Sequence, residues 1–161
     1  MKNIFVLFAL MGLFLGTVNA QDISPNAIGL RIGDSDGFGT EVNYQRALSD
    51  ENRLEFGLGW RIADDFNAFR LTGLYQWVWN IDGGFNWYAG AGAAVGQFDF
   101  DDGFGADFSS FFLNVAGNIG IEYDFDIPLL LSLDFRPEIG ITNDIDDSLE
   151  FDIALGIRYQ F

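Results

Sequence analysis

The chain has 161 residues, with 24 Asp and Glu against eight Lys and Arg, a formal net charge of −16, and neither Cys nor His. This length suits one domain, and the missing residue types exclude disulfide scaffolds, zinc–thiolate sites and the usual catalytic base. The negative charge argues against nucleic-acid binding, which depends on Lys and Arg. Composition therefore excludes most enzyme classes, and we expect a protein that is not an enzyme, with no cofactor and no assigned metal site.

Residues 1–20 have the features of a secretory signal peptide. A basic residue, Lys2, is followed by apolar or small residues over 4–15 and by small residues before Ala20. The apolar run is shorter than the roughly 20 residues that a membrane-spanning helix needs. We therefore expect cleavage after Ala20, which leaves one domain over 21–161.

Alternation of apolar and polar residues dominates the rest of the chain and predicts β-strands. The clearest example covers 149–161, and turn residues such as Gly, Asp and Asn separate eight segments of this kind. In chain order the predicted strands are 26–33, 38–47, 53–62, 68–79, 85–97, 111–124, 128–142 and 149–161. Their short connectors predict an all-β, antiparallel up-and-down barrel.

Three segments fit this pattern less well. The fifth strand is small on both faces around Gly90 and Ala91, so its register is weakly specified. Pro137 interrupts the seventh strand, where we expect a bulge or the outer end of the hydrogen-bonded region, because a closed barrel has no free edge for a missing N–H. The segment 98–110 is predicted as a long connector.

The apolar face of the predicted barrel is too bulky to lie inside it. One face per strand gives 41 apolar positions, of which only three, all Ala, are small. A packed eight-stranded core holds about 12 side chains, so this face is expected to contact lipid in a transmembrane barrel. Aromatic residues near the strand ends predict two interfacial girdles. If both chain termini face the periplasm, the outer end of the barrel is the end away from the termini. The outer girdle would contain Phe38, Trp60, Phe66, Phe69, Phe111 and Phe112.

The opposite face combines Gly with charged residues, as a narrow lumen requires. Its charged members are Arg31, Glu41, Glu55, Arg61, Arg70, Glu122, Asp134, Arg136, Glu138, Glu150, Asp152 and Arg158. Because buried charges must be paired and hydrogen-bonded, we expect these residues to form ion pairs that plug the lumen. The alternative is the solvated polar face of a soluble β-sandwich.

Acidic residues crowd the connectors that this topology assigns to the outer end. They are Asp34, Asp36, Asp64, Asp65, Asp99, Asp101, Asp102, Asp107, Asp144, Asp146 and Asp147. Carboxylates suit hard divalent cations, but the specific calcium-loop pattern is not present. A solvated acidic surface is the default interpretation, and cation binding is the alternative.

The chain resembles the small eight-stranded outer-membrane β-barrels of Gram-negative bacteria, of the OmpX and OmpA-transmembrane-domain type. The resemblance covers 21–161 and is most specific over 155–161, where Tyr159 and Phe161 match the family's C-terminal assembly signal. It implies a bacterial outer-membrane location, contact with the bilayer and lipopolysaccharide, recognition by the outer-membrane insertion machinery, and a monomer. We expect a structural or surface-interaction role. A narrow passive pore and a soluble periplasmic ligand-binding barrel are the alternatives.

Overall fold

The strands close into a barrel in which each pairs with its neighbour in sequence and the last pairs with the first. The computed structural model describes residues 23–33, 39–63, 66–101, 107–141 and 149–161. Its strands are β1 (Asn26–Gly33), β2 (Thr40–Ala47), β3 (Asn52–Ala63), β4 (Phe66–Asp82), β5 (Phe85–Asp101), β6 (Asp107–Asp124), β7 (Leu129–Gly140) and β8 (Leu149–Gln160). The predicted fold class is confirmed. The predicted signal peptide lies outside the described residues.

No helix in the described ranges is long and apolar enough to cross a membrane.

Apolar side chains cover the outside of the barrel, and polar side chains fill its interior. Among the described residues, the buried set contains 20 polar or charged residues and only ten apolar ones, of which five are Ala. Leu155 on β8 is 63% exposed, whereas Arg158 on the same strand is 1% exposed. A water-soluble barrel buries its apolar face. The reverse arrangement here agrees with the outward apolar face predicted from the sequence.

β1 and β8 approach each other closely where they close the barrel. Gly29 is paired with Asn43 on β2 and with Arg158 on β8. A Cβ atom at Gly29 would overlap the carbonyl oxygen of Ile157 and would lie 2.6 Å from the Cα of Arg158. The seam therefore requires a residue without a side chain at this position.

β4, β5 and β6 are the longest strands of the described residues, with 17, 17 and 18 residues. β5 and β6 pair continuously up to Asp101 and Asp107, and β7 ends at Gly140 opposite Asn114. The prediction of a connector over 98–110 is therefore wrong for 98–101 and 107–110, which belong to β5 and β6, and residues 102–106 lie outside the described residues. Its Asp-rich and Gly-rich composition obscured an apolar alternation that continues the two strands.

Pro137 leaves a gap in the ladder without changing its register. Pairing between β6 and β7 stops at Ala116 with Glu138 and resumes at Ile119 with Phe135 in the same register, so there is no bulge. Pro has no N–H to donate, and a Cβ at Gly117 would lie 3.3 Å from Cγ of the Pro137 ring. The expected bulge or strand end is wrong, because a facing Gly accommodates the ring within the strand.

Aromatic residues lie on the outer face at both ends of the barrel. At the end of the barrel where β1 begins and β8 ends, here called the turn end, Trp79 stacks on Trp87 with ring centroids 4.3 Å apart. At the outer end Trp60 and Phe111 are exposed, but Phe112 is buried inside the lumen. The placement of Phe112 in the outer girdle is wrong, because it is the next residue after outward-facing Phe111. Phe38 and the side chain of Phe66 lie outside the described parts of the chain.

Candidate functional site

The lumen contains nearly balanced buried charges. The buried cations of the described chain are Arg31, Arg53, Arg70, Arg136 and Arg158, and the buried anions are Glu41, Glu55, Glu122, Asp134, Glu138 and Asp152. Five positive charges thus face six negative ones. Each Arg has a carboxylate oxygen within salt-bridge distance. Pairing of this kind is what makes buried charges tolerable in a low-dielectric interior.

Arg31 on β1 binds two carboxylates from strands that are distant in sequence. Its Nη2 donates to Oδ1 of Asp134 at 2.6 Å, and its Nε donates to Oδ2 of the same carboxylate at 3.2 Å. Its Nη1 donates to Asp152 on β8. The side-on, bidentate contact with Asp134 is the geometry in which Arg pairs most strongly with a carboxylate.

Glu55 on β3 accepts hydrogen bonds from two Arg residues on the opposite wall. Arg136 donates to its Oε1 at 3.3 Å, and Arg158 donates to its Oε2 at 3.4 Å. Gln45 and Gln76 also donate to its Oε2, at 2.7 and 3.2 Å. Glu55 therefore joins β2, β3, β4, β7 and β8 across the lumen.

Arg53 is part of this network, although it is not among the predicted lumen charges. Its two Nη atoms donate to the two carboxylate oxygens of Glu122 at 3.0 and 2.7 Å. Its guanidinium carbon lies 4.9 Å from the centroid of the Tyr88 ring, a cation–π distance. The alternation places Arg53 on the same inward face as Glu55, so the sequence could have identified it. Arg53 was omitted because it is the first residue of the predicted third strand.

Near the outer end, Arg70 on β4 pairs with Glu138 on β7, and Asn114 donates to Glu138 at 3.1 Å. The other two predicted lumen charges lie outside the buried set. Arg61 is exposed and Glu150 is half-buried. In the part of the chain that the structure describes, the pairing of β3 with β2 ends at Gly59, two positions before Arg61.

The predicted C-terminal signal residues face outward. Tyr159 and Phe161 are both exposed, and their rings lie 6.2 Å apart, nearly parallel. The backbone of Phe161 is fixed to β1, because its N–H donates to the carbonyl of Asn26 at 2.9 Å.

The predicted cation-binding acids lie outside the described residues or have side chains that are not described. No group of metal-binding side chains is found in the described ranges.

Comparisons with known proteins identify the fold. No protein-family model matches the chain, and no curated protein matches its sequence. The solved N-terminal β-barrel domain of OprF from Pseudomonas aeruginosa matches with a TM-score of 0.70 and 14% identity, over 88% of this chain and all of that one. Neisserial surface protein A matches with 0.62 and 13%, over 84% and 93%. Ail of Yersinia pestis matches with 0.60 and 18%, over 86% and 97%.

At these identities the shared property is the fold. The chain has the eight-stranded barrel architecture of small bacterial outer-membrane proteins. The resemblance found in the sequence is therefore confirmed at the level of architecture.

Proposed function

We propose that the chain is an integral outer-membrane protein without enzymatic activity, that its lumen is plugged by its own ion pairs, and that it serves envelope structure or interactions at the cell surface. One observation carries the proposal: apolar side chains cover the outside of the barrel, whereas paired charges fill its interior. An apolar exterior of this kind is stable in contact with the acyl chains of lipids. Residues 1–20 would direct export, and Tyr159 and Phe161 would be read by the insertion machinery.

The arrangement of the ion pairs supports a closed lumen over a passive pore. Arg53 and Glu122 lie near the turn end, Arg31 and Asp134 lie near the middle, and the pair made by Arg70 lies toward the outer end. An eight-stranded interior is just wide enough for side chains to fill. An ion would have to break several buried pairs in succession to cross.

Planar-bilayer recordings test this plug. We expect no discrete current steps from the protein isolated from outer membranes, because no continuous water-filled path would connect the two ends. Replacing both Arg31 and Asp134 by Ala should admit small ions, because it removes the central pair from the lumen and takes away the Arg31 partner of Asp152. The exposed Glu51→Ala serves as the silent control. Wild-type current steps that are unchanged in the double variant would contradict the plug.

The extended outer ends of the strands support a role at the surface. β5 and β6 pair with each other as far as Asp101 and Asp107. Ser110 and Phe111 near this end of β6 are exposed. We therefore place the interaction surface on this part of β6.

The charge of the chain narrows the class of partner. Ail has also been solved in complex with the heparin analogue sucrose octasulfate. The present chain carries a net charge of −16, which repels polyanions over the distances at which charge steers association. A sulfated polysaccharide is thus a poor partner for this chain.

The bilayer and lipopolysaccharide surround the barrel, and we propose that it is a monomer.

A further inference from the structure

Three residues form a row across adjacent strands on the lumen side of the wall. Gly57 on β3 is paired with Asn43 on β2 and with Thr72 on β4. All three face the interior, and Asn43 and Thr72 are 0% and 1% exposed. Gly57, which has no side chain, therefore lies between two buried polar side chains.

Both polar neighbours of Gly57 have an atom without a hydrogen-bond partner in the described part of the chain. These atoms are Nδ2 of Asn43 and Oγ1 of Thr72. The other side-chain polar atom of Asn43, Oδ1, accepts a hydrogen bond from Arg158. A buried polar group without a partner is destabilising, because it has lost its hydrogen bonds with water. Native structures normally satisfy such groups with protein or with ordered water.

The surroundings of Gly57 form a polar cradle. An atom at the Cβ position of Gly57 would lie 2.8 Å from Oε2 of Glu41 and 3.8 Å from Cβ of Thr72. Thr72 is flanked on its other side by Ala94 on β5, which is also small. The carboxylate of Glu41 thus lies over Gly57, and the side chains of Asn43 and Thr72 flank it on the two neighbouring strands.

We propose that one buried water molecule is bound above Gly57. It accepts a hydrogen bond from Nδ2 of Asn43, exchanges a hydrogen bond with Oγ1 of Thr72 and donates to the carboxylate of Glu41. Buried water typically makes about three hydrogen bonds to groups that the protein leaves unsatisfied. The water would hold Glu41 in the orientation in which it accepts from Nη1 of Arg136 at 3.1 Å.

The chemistry of the cradle favours water over an ion. An anion would be repelled by Glu41, which is already paired with Arg136. A cation would face the N–H donors of Asn43. Water can both donate and accept, so it is the one ligand that suits all three groups.

This inference rests on the proposed plug, because an open lumen would fill the same cradle with rapidly exchanging bulk water. The test is nuclear magnetic resonance of the full chain in detergent micelles, with detection of cross-relaxation from water to the side-chain amide of Asn43 and to the methyl group of Thr72. We expect cross-peaks with the sign of a long-lived bound water. The cross-peak to the side-chain amide of Asn43 should persist in Thr72→Ser, which keeps the hydroxyl, and disappear in Thr72→Val, which removes it.

Two results would overturn the inference. Well-resolved Asn43 and Thr72 signals without water cross-peaks would show that the cradle is empty. Resonances that shift when chloride is replaced by nitrate, or Na⁺ by K⁺, would show that an ion occupies it. Cross-peaks with the sign of mobile water at many lumen residues, together with bilayer conductance, would instead show that the plug itself has failed.

Discussion

Replacing Glu55 by Gln is expected to lower the free energy of unfolding by about 3–5 kcal/mol, the cost of removing one partner from a buried ion pair. Gln retains nearly the same shape, so the loss would come from the charge. Glu55 is the carboxylate within salt-bridge distance of Arg158, and it is also shared with Arg136. The measurement is urea unfolding of the barrel in lipid vesicles, followed by Trp fluorescence.

The control for this substitution is Glu51→Gln, in the exposed turn between β2 and β3. A surface change of this kind should leave the unfolding midpoint almost unchanged. Adding Arg158→Met to Glu55→Gln should cost less than the sum of the two single changes, because the second removes a charge that the first has left unpaired. Equal effects at Glu55 and Glu51 would contradict a buried network and indicate a solvated lumen.

Replacing Gly29 by Ala is expected to prevent closure of the barrel or to destabilise it by at least about 3 kcal/mol, the upper range for overpacking. The added methyl group would meet backbone atoms of Ile157 and Arg158. Backbone atoms cannot rotate away as a flexible side chain can, so β1 and β8 would have to separate. The measurement is the fraction of protein that migrates as the compact folded form on a gel without boiling.

Gly73→Ala is the matched control for the seam. Gly73 lies within β4, and an added Cβ there would be 3.9 Å from the nearest atoms, which belong to the ring of Phe56. That distance is an ordinary van der Waals contact, so this variant should fold like the wild type. If Gly29→Ala and Gly73→Ala fold equally well, the close approach of β1 and β8 is not a requirement of the fold.

The strand count and the two faces could be predicted because they depend on local pattern. An alternation with a period of two places successive residues on opposite faces whatever the strand pairs with. The apolar side chains are too bulky to fit inside the barrel, and this identifies the apolar face as the outer one. Phe112 was misplaced although the alternation puts it on the face opposite to Phe111, whereas Pro137 was misplaced because the decisive contact lies across a strand pair. The Gly117 that accommodates Pro137 is 20 positions away in sequence.

The partners within the lumen could not be predicted, because they are set by closure of the barrel. Arg31 binds Asp134 across a sequence separation of 103 residues, and the choice of Asp134 over other inward acids depends on where the two strands face each other. The sequence supplies charges of both signs on one face. The register of all eight strands determines which of them meet.

If lipid solvates the apolar outer face of the barrel, as we propose, the four native Trp residues report on it directly. Trp60 and Trp77 are 52% and 44% exposed, and Trp79 and Trp87 lie on the same outer face. The measurement is Trp fluorescence of the refolded protein in vesicles whose acyl chains carry bromine. We predict strong quenching by bromine, strongest near the headgroups because all four residues lie near strand ends, and little quenching by aqueous iodide. Quenching by iodide without quenching by bromine would contradict the account, because the outer face would then be in water.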